Sequence, residues 1–131
     1  MNYLKLMKIK SIYIGAGSFV AIFFLFGLIN KLLNIDWTAG PLIVIYLLAF
    51  CAPGYIAAEH AGKHGVAHGF FAGFFSILIL TPIGFAFFGY VGVNGEPLNI
   101  GSFLLISLGV AFWCSLGGLA WETKKHFTKQ P

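Results

Sequence analysis

Four long apolar segments, separated by short polar stretches, make up almost the whole chain. We place them at residues 11–33, 39–58, 66–91 and 100–121. Each reaches about 20 residues or more, the length that a helix needs to cross the hydrocarbon core of a bilayer. The runs do not alternate between apolar and polar positions, which excludes the strands of a membrane barrel. The pattern predicts an all-α, four-helix transmembrane bundle that forms one domain over residues 1–131.

The composition supports this class of protein. Charged residues make up 9% of the chain, whereas a soluble domain carries about 25%. Such a chain cannot cover a water-facing surface, so its first partner is the lipid bilayer. The first apolar segment follows a basic start, as a signal peptide does, but it is too long for a signal-peptide core. We therefore expect it to be a retained first span.

The lysines predict the orientation of the bundle. All but one of the eight lysines fall on the same side of a four-span topology. These are Lys5, Lys8, Lys10, Lys63, Lys124, Lys125 and Lys129. Cytoplasmic loops are enriched in positive residues, so both termini are expected in the cytoplasm. The membrane is expected to be a bacterial inner membrane. The chain contains no arginine, which argues against a nucleic-acid partner.

Two segments of the chain share a sequence pattern. Residues 51–59 and residues 114–122 both read C-x-x-G-x-(I/L)-A-x-E, at the ends of spans two and four. Phe26-Gly27 and Phe88-Gly89 match in the same way near the ends of spans one and three. We interpret these matches as the duplication of a helical hairpin. Two hairpins that enter from the same side form a parallel repeat, related by an axis along the membrane normal.

Three glycines recur every four residues at the start of span three, at Gly65, Gly69 and Gly73. Residues at this spacing lie on one helix face, and glycine there lets another backbone approach closely. These three glycines, called here the glycine stripe, are predicted to form a helix-packing interface. One possibility is that the stripe packs span three on span two within one chain. The other is that it joins two subunits.

Three histidines recur in the polar stretch between spans two and three, at His60, His64 and His68, next to Glu59. Two histidines four residues apart on a helix can bind one metal ion, and Glu59 could supply an oxygen ligand. The interpretation we prefer is an interfacial turn that interacts with the membrane surface and titrates in part near neutral pH. We therefore expect no cofactor, with a His-ligated metal or haem as the alternative.

Glu59 and Glu122 occupy equivalent places at the ends of spans two and four. A carboxylate at a helix C-terminus opposes the helix dipole, so we expect compensation by Lys63, Lys124, Lys125 or a histidine. Within the spans, Pro53 and Pro82 predict kinks. Cys51 and Cys114 are expected to be small packing residues.

The stretch around the polar turn resembles a family of known proteins. The residues that carry the likeness are Gly54-Tyr55-Ile56-Ala57-Ala58, Ala61-Gly62, Gly65, His68-Gly69 and Gly73. They are similar to the middle hairpin of uncharacterised small four-span bacterial integral membrane proteins. The likeness covers about twenty residues and implies the topology only, because that family brings no activity with it. A basic residue often follows the alanine pair there, whereas this chain has Glu59-His60.

These observations predict a non-catalytic, multi-pass membrane protein that acts through helix–helix association. It would be an accessory subunit of a membrane complex or a homo-oligomer. The alternatives are a channel or transporter for ions or small solutes that works as an oligomer, and a protein with a His-ligated metal or haem. No Asp, Glu, Lys or Arg can be placed firmly inside a span, which argues against ion-coupled transport. No nucleophile–base pair or phosphate loop is visible, so an enzyme is not expected.

Overall fold

The computed structural model describes residues 8–35, 40–88 and 100–129, with side chains to residue 83 in the second range. Five helices follow one another: α1 (Ile9–Leu33), α2 (Leu42–Ala49), α3 (Cys51–Ala61), α4 (Gly65–Phe88) and α5 (Ile100–Thr128). They build four segments long and apolar enough to cross a membrane: Ile9–Leu33, Leu42–Ala61, Gly65–Ile83 and Ile100–Thr128. The predicted four-helix transmembrane bundle is confirmed.

The helix ends differ from the predicted spans at several points. Span two continues to Ala61 instead of residue 58, and α5 continues to Thr128 instead of residue 121. The predicted start of span two and the predicted end of span three lie outside the described residues, as does Gly89 of the repeat. At about 1.5 Å per residue, α5 is about 44 Å long. Because the hydrocarbon core is about 30 Å thick, the polar end of α5 extends past it.

Span two is broken into two helices at Phe50, between α2 and α3. The break precedes Pro53, which lacks an N–H group and cannot continue the hydrogen-bond ladder into the preceding turn. The carbonyl of Phe50 accepts a hydrogen bond from the Cys114 thiol across the bundle, at 3.2 Å. At the predicted kink the helix is interrupted only at Phe50, whose backbone stays right-handed at φ −74°, whereas α4 continues through Pro82.

The core consists mainly of small side chains. Gly15 of α1 lies where α1, α3 and α4 meet, and a Cβ placed there would stand 2.7 Å from the Ala57 side chain and 2.8 Å from that of Ala72. The largest fully buried side chain is Phe19, whose ring lies 4.8 Å from the ring of Phe50. Small residues let helix backbones come close, which is how helices associate when lipid removes the hydrophobic driving force.

Helix α3 lies at the centre of the bundle, where it contacts α1, α4 and α5. The contact between α4 and α5 is the most extensive, and α1 also packs on α4. Among the described residues, α1 and α5 make no comparable contact with each other. These two helices therefore flank the α3–α4 pair, with their outer faces uncovered.

The two C-x-x-G segments of the repeat pack against each other. A Cβ on Gly54 of α3 would meet the Cys114 carbonyl of α5, and a Cβ on Gly117 of α5 would meet the Cys51 carbonyl of α3. The first cysteine of each pattern thus faces the glycine of the other. Such reciprocity is the property of a two-fold interface. The two-fold relation is confined to this crossing. If it extended to the whole bundle, the contact between α3 and α4 would be matched by one between α5 and α1, and no comparable contact exists there among the described residues.

Candidate functional site

The glycine stripe lies inside the chain and faces α5. A Cβ on Gly65 would stand 2.6 Å from the Gly118 carbonyl oxygen, and one on Gly73 would stand 2.8 Å from the Ala111 Cα. A Cβ on Gly69 would meet the Cys114 carbonyl. Span four is the main partner of the stripe, and span two, the partner expected within the chain, contacts it at Gly65, where the Cβ would stand 3.0 Å from the Ala58 side chain. Since α5 covers all three glycines, a second subunit cannot reach them in this fold.

His68 is fully buried, and both of its ring nitrogens have partners. Nδ1 lies 2.8 Å from the His64 carbonyl oxygen, and Nε2 lies 3.1 Å from the backbone nitrogen of Lys8. A backbone N–H can only donate and a carbonyl can only accept, so Nε2 is the acceptor and Nδ1 carries the proton. The two contacts require the neutral ring with a proton on Nδ1. His68 thereby ties the start of α1 to the start of α4.

His60, His64 and Glu59 are exposed and do not converge on His68. The Nδ1 atom of His60 lies 3.0 Å from the Ile56 carbonyl oxygen, one turn earlier in its own helix. His64 is a turn residue with a left-handed backbone, at φ 51°. Within residues 8–35, 40–88 and 100–129, no three His, Cys, Asp or Glu side chains are gathered to hold a metal ion. Both ring nitrogens of His68 are also used within the chain.

Glu122 of α5 places its carboxylate at the start of α4, where it contacts the backbone of that helix. Its Oε1 atom accepts hydrogen bonds from the backbone N–H groups of Gly65 and, at 3.3 Å, Val66. These amides open α4 and have no acceptor within their own helix, and the positive end of the helix dipole favours a carboxylate there. The start of α4 thus compensates Glu122, a partner that the sequence analysis did not expect, whereas Glu59 has Lys124 as an electrostatic partner.

Two lysines that follow Glu122 reach back to the α3–α4 hairpin. The Lys125 ammonium donates to the Gly62 carbonyl and lies 4.8 Å from the centre of the Trp121 ring. The Lys124 ammonium donates to the Tyr55 hydroxyl at 3.0 Å. We call Glu122, Lys124 and Lys125 the α5 clasp, because they bind the polar end of α5 to the hairpin.

The α5 clasp binds to the short turn between α3 and α4. Gly62 ends α3 with a left-handed backbone, at φ 76°, and its N–H donates to the Ala58 carbonyl at 2.9 Å. Glycine is the usual residue at this position, because it has no side chain to oppose positive φ. The sequence analysis did not predict the clasp. Polar residues follow the last apolar span directly, within one helical turn, and they could have indicated that the helix continues.

A cleft of about 340 Å³ lies between the clasp and the turn. Its lining includes Lys63 and His64 of the turn together with Trp121, Glu122, Lys125, His126 and Lys129 of α5. Three of the six described lysines at this end of the chain line it. Comparison with family models, curated proteins and solved structures finds no match to the chain.

Proposed function

We propose that this chain is a non-catalytic integral membrane protein that acts through its outer surface. It would associate with itself or with other membrane subunits, in a bacterial inner membrane and with both termini in the cytoplasm. The observation that carries the proposal is the interior packing. Glycine and alanine bring α3, α4 and α5 into backbone contact, so these helix crossings leave no space for a substrate between them.

The buried polar groups give the same indication. The hydroxyl of Ser76 donates to the Ala72 carbonyl at 2.6 Å, and that of Ser107 donates to the Phe103 carbonyl at 2.8 Å. Within the described part of the chain, every buried side-chain nitrogen or oxygen has a hydrogen-bond partner. Catalytic and transport sites instead present polar groups to a pocket or to water. Within the bundle, away from the polar cleft at its end, this favours association over the alternatives of an enzyme or of a channel within one chain.

The outer faces of α1 and α5 are available for association. Large apolar side chains are exposed there, with 46% of Phe24 and 56% of Phe112 accessible. A Cβ placed on Gly17 of α1 or on Gly109 of α5 would meet no atom within 4 Å. A partner helix could approach the backbone at these points, whereas the glycine stripe is already covered.

Site-specific photo-crosslinking in native membranes tests the proposal. A photoreactive phenylalanine analogue is placed in turn at Phe24, Leu28, Leu105 and Phe112, which all face outward. We expect crosslinked protein adducts of discrete mass from the outer face of at least one of the two helices. The same adducts should form when expression of the chain is lowered. Adducts with lipid alone at all four positions would contradict the proposal. Solute or ion flux through vesicles containing the purified chain would favour the channel instead.

A further inference from the structure

The cleft between the α5 clasp and the α3–α4 turn has the charge of a site for an anion. Three lysines and two histidines line it: Lys63, His64, Lys125, His126 and Lys129. They come from the turn and from the end of α5, two segments about sixty residues apart. The charge is therefore gathered by the fold and is not merely a run of basic residues in a tail.

The one acidic side chain among the described residues of the lining, Glu122, offsets only part of this charge, since three lysines face one carboxylate. Glu122 directs Oε1 at the first two amides of α4, so its charge is stabilised by the start of that helix. Within the described ranges, no carboxylate lies at ion-pair distance from Lys63 or Lys129, and both lysines are exposed. Their charges are available to a ligand.

Lys125 and Trp121 fix the shape of the cleft. The Lys125 ammonium has three N–H groups, and the Gly62 carbonyl takes one of them. The remaining N–H groups can donate to another acceptor, while the neighbouring Trp121 ring holds the ammonium in place. Because the Lys125 side chain is already ordered, a ligand would lose less conformational entropy of that side chain on binding.

The position along the bundle selects the class of ligand. Trp121 is where α5 was expected to leave the hydrocarbon, and tryptophan is enriched at the level of lipid headgroups. Basic pockets at that level bind anionic headgroups. We propose that the cleft binds the phosphate of an anionic phospholipid, with Lys63, Lys125 and Lys129 as its cationic donors. This inference is independent of the association proposed above.

Lipid retention measured by native mass spectrometry tests the site. The full chain is released from micelles that hold equal amounts of phosphatidylglycerol and phosphatidylcholine. We expect wild type to retain one phosphatidylglycerol in preference, and Lys63→Gln/Lys129→Gln to bind it about 30-fold more weakly, from about fivefold for each lysine at a membrane surface. Both changes spare Lys125 and Glu122, so the fold should be preserved, with an unchanged melting temperature as the check.

Lys8→Gln/Lys10→Gln is the matched control. It removes the same charge at the same end of the bundle, from exposed side chains outside the cleft. Retention lost in the cleft variant and kept in the control supports the site. Equal losses in both variants, or equal retention of phosphatidylcholine by wild type, would overturn it. Displacement of the lipid by millimolar glycerol phosphate or inorganic phosphate would assign the cleft to a soluble phosphate and contradict a lipid ligand.

Discussion

The carbonyl oxygen of Cys114 occupies the space that a side chain on Gly54 would need, and the carbonyl of Cys51 does the same opposite Gly117. The two contacts join the parallel helices α3 and α5 at one level. A side chain at either glycine would push the backbones apart, because a carbonyl cannot turn away without breaking its own helix. This crossing is therefore the least adjustable point of the bundle.

Gly54→Ala is expected to destabilise the protein by about 1–3 kcal/mol, the usual cost of overpacking. The opposing gain in helix propensity is about 0.8–1.0 kcal/mol. Gly17→Ala is the matched control, because a Cβ on Gly17 would have no atom within 4 Å. Thermal unfolding in detergent should show a loss for Gly54→Ala and no loss for Gly17→Ala. Equal behaviour of the two variants would show that α3 and α5 are further apart than described.

Gly69→Leu separates packing within the chain from packing between subunits. Leucine is the better helix former by about 0.8 kcal/mol, so propensity alone predicts stabilisation. Because the Cys114 carbonyl covers Gly69, we expect lower thermal stability with an unchanged mass of the detergent complex. Gly109→Leu, on the open face of α5 where a Cβ would have no atom within 4 Å, should raise stability by up to about 0.8 kcal/mol. A fall in mass with Gly69→Leu would place the glycine stripe between subunits.

The apolar runs identify all four spans, because the length and hydropathy of a membrane helix are written locally in the chain. The element that packs on each helix face is not determined by the local sequence. The period of Gly65, Gly69 and Gly73 marks a face for close packing, but it does not tell whether α3, α5 or another subunit lies there. The end of α5 was missed for a related reason. Its last turns are polar, and contacts of Lys125 and Glu122 with a distant turn hold them.

The two glutamates of the repeat should respond differently to substitution. Glu122→Ala removes the acceptor for the first amides of α4, and loss of such a cap costs about 0.5–2 kcal/mol. Glu122→Gln keeps an acceptor and should lose less. Glu59 is exposed, so Glu59→Ala should change stability by no more than about 0.5 kcal/mol. Hydrogen exchange of the peptide that contains Gly65 and Val66 should accelerate in Glu122→Ala. Unchanged exchange there would contradict the cap.

The orientation can be measured by cysteine labelling from either side of the membrane. The background should be Cys51→Ala/Cys114→Ser, because serine keeps a donor for the Phe50 carbonyl. Cysteines at 63 and 129 should react only from the cytoplasm, and one at 96, which lies outside the described residues, only from the other side. Labelling of position 96 from the cytoplasm would contradict the topology that the lysines predict.

The mass of the assembly in its own membrane tests the central proposal most directly. Membranes that contain the chain at native abundance are converted into polymer-bounded discs without detergent, and the intact assemblies are weighed by native mass spectrometry. Association predicts a dominant species well above the 14.3 kDa of one chain, as a multiple of that mass or with another membrane subunit in fixed ratio. A dominant species of one chain with lipid alone would contradict the proposal.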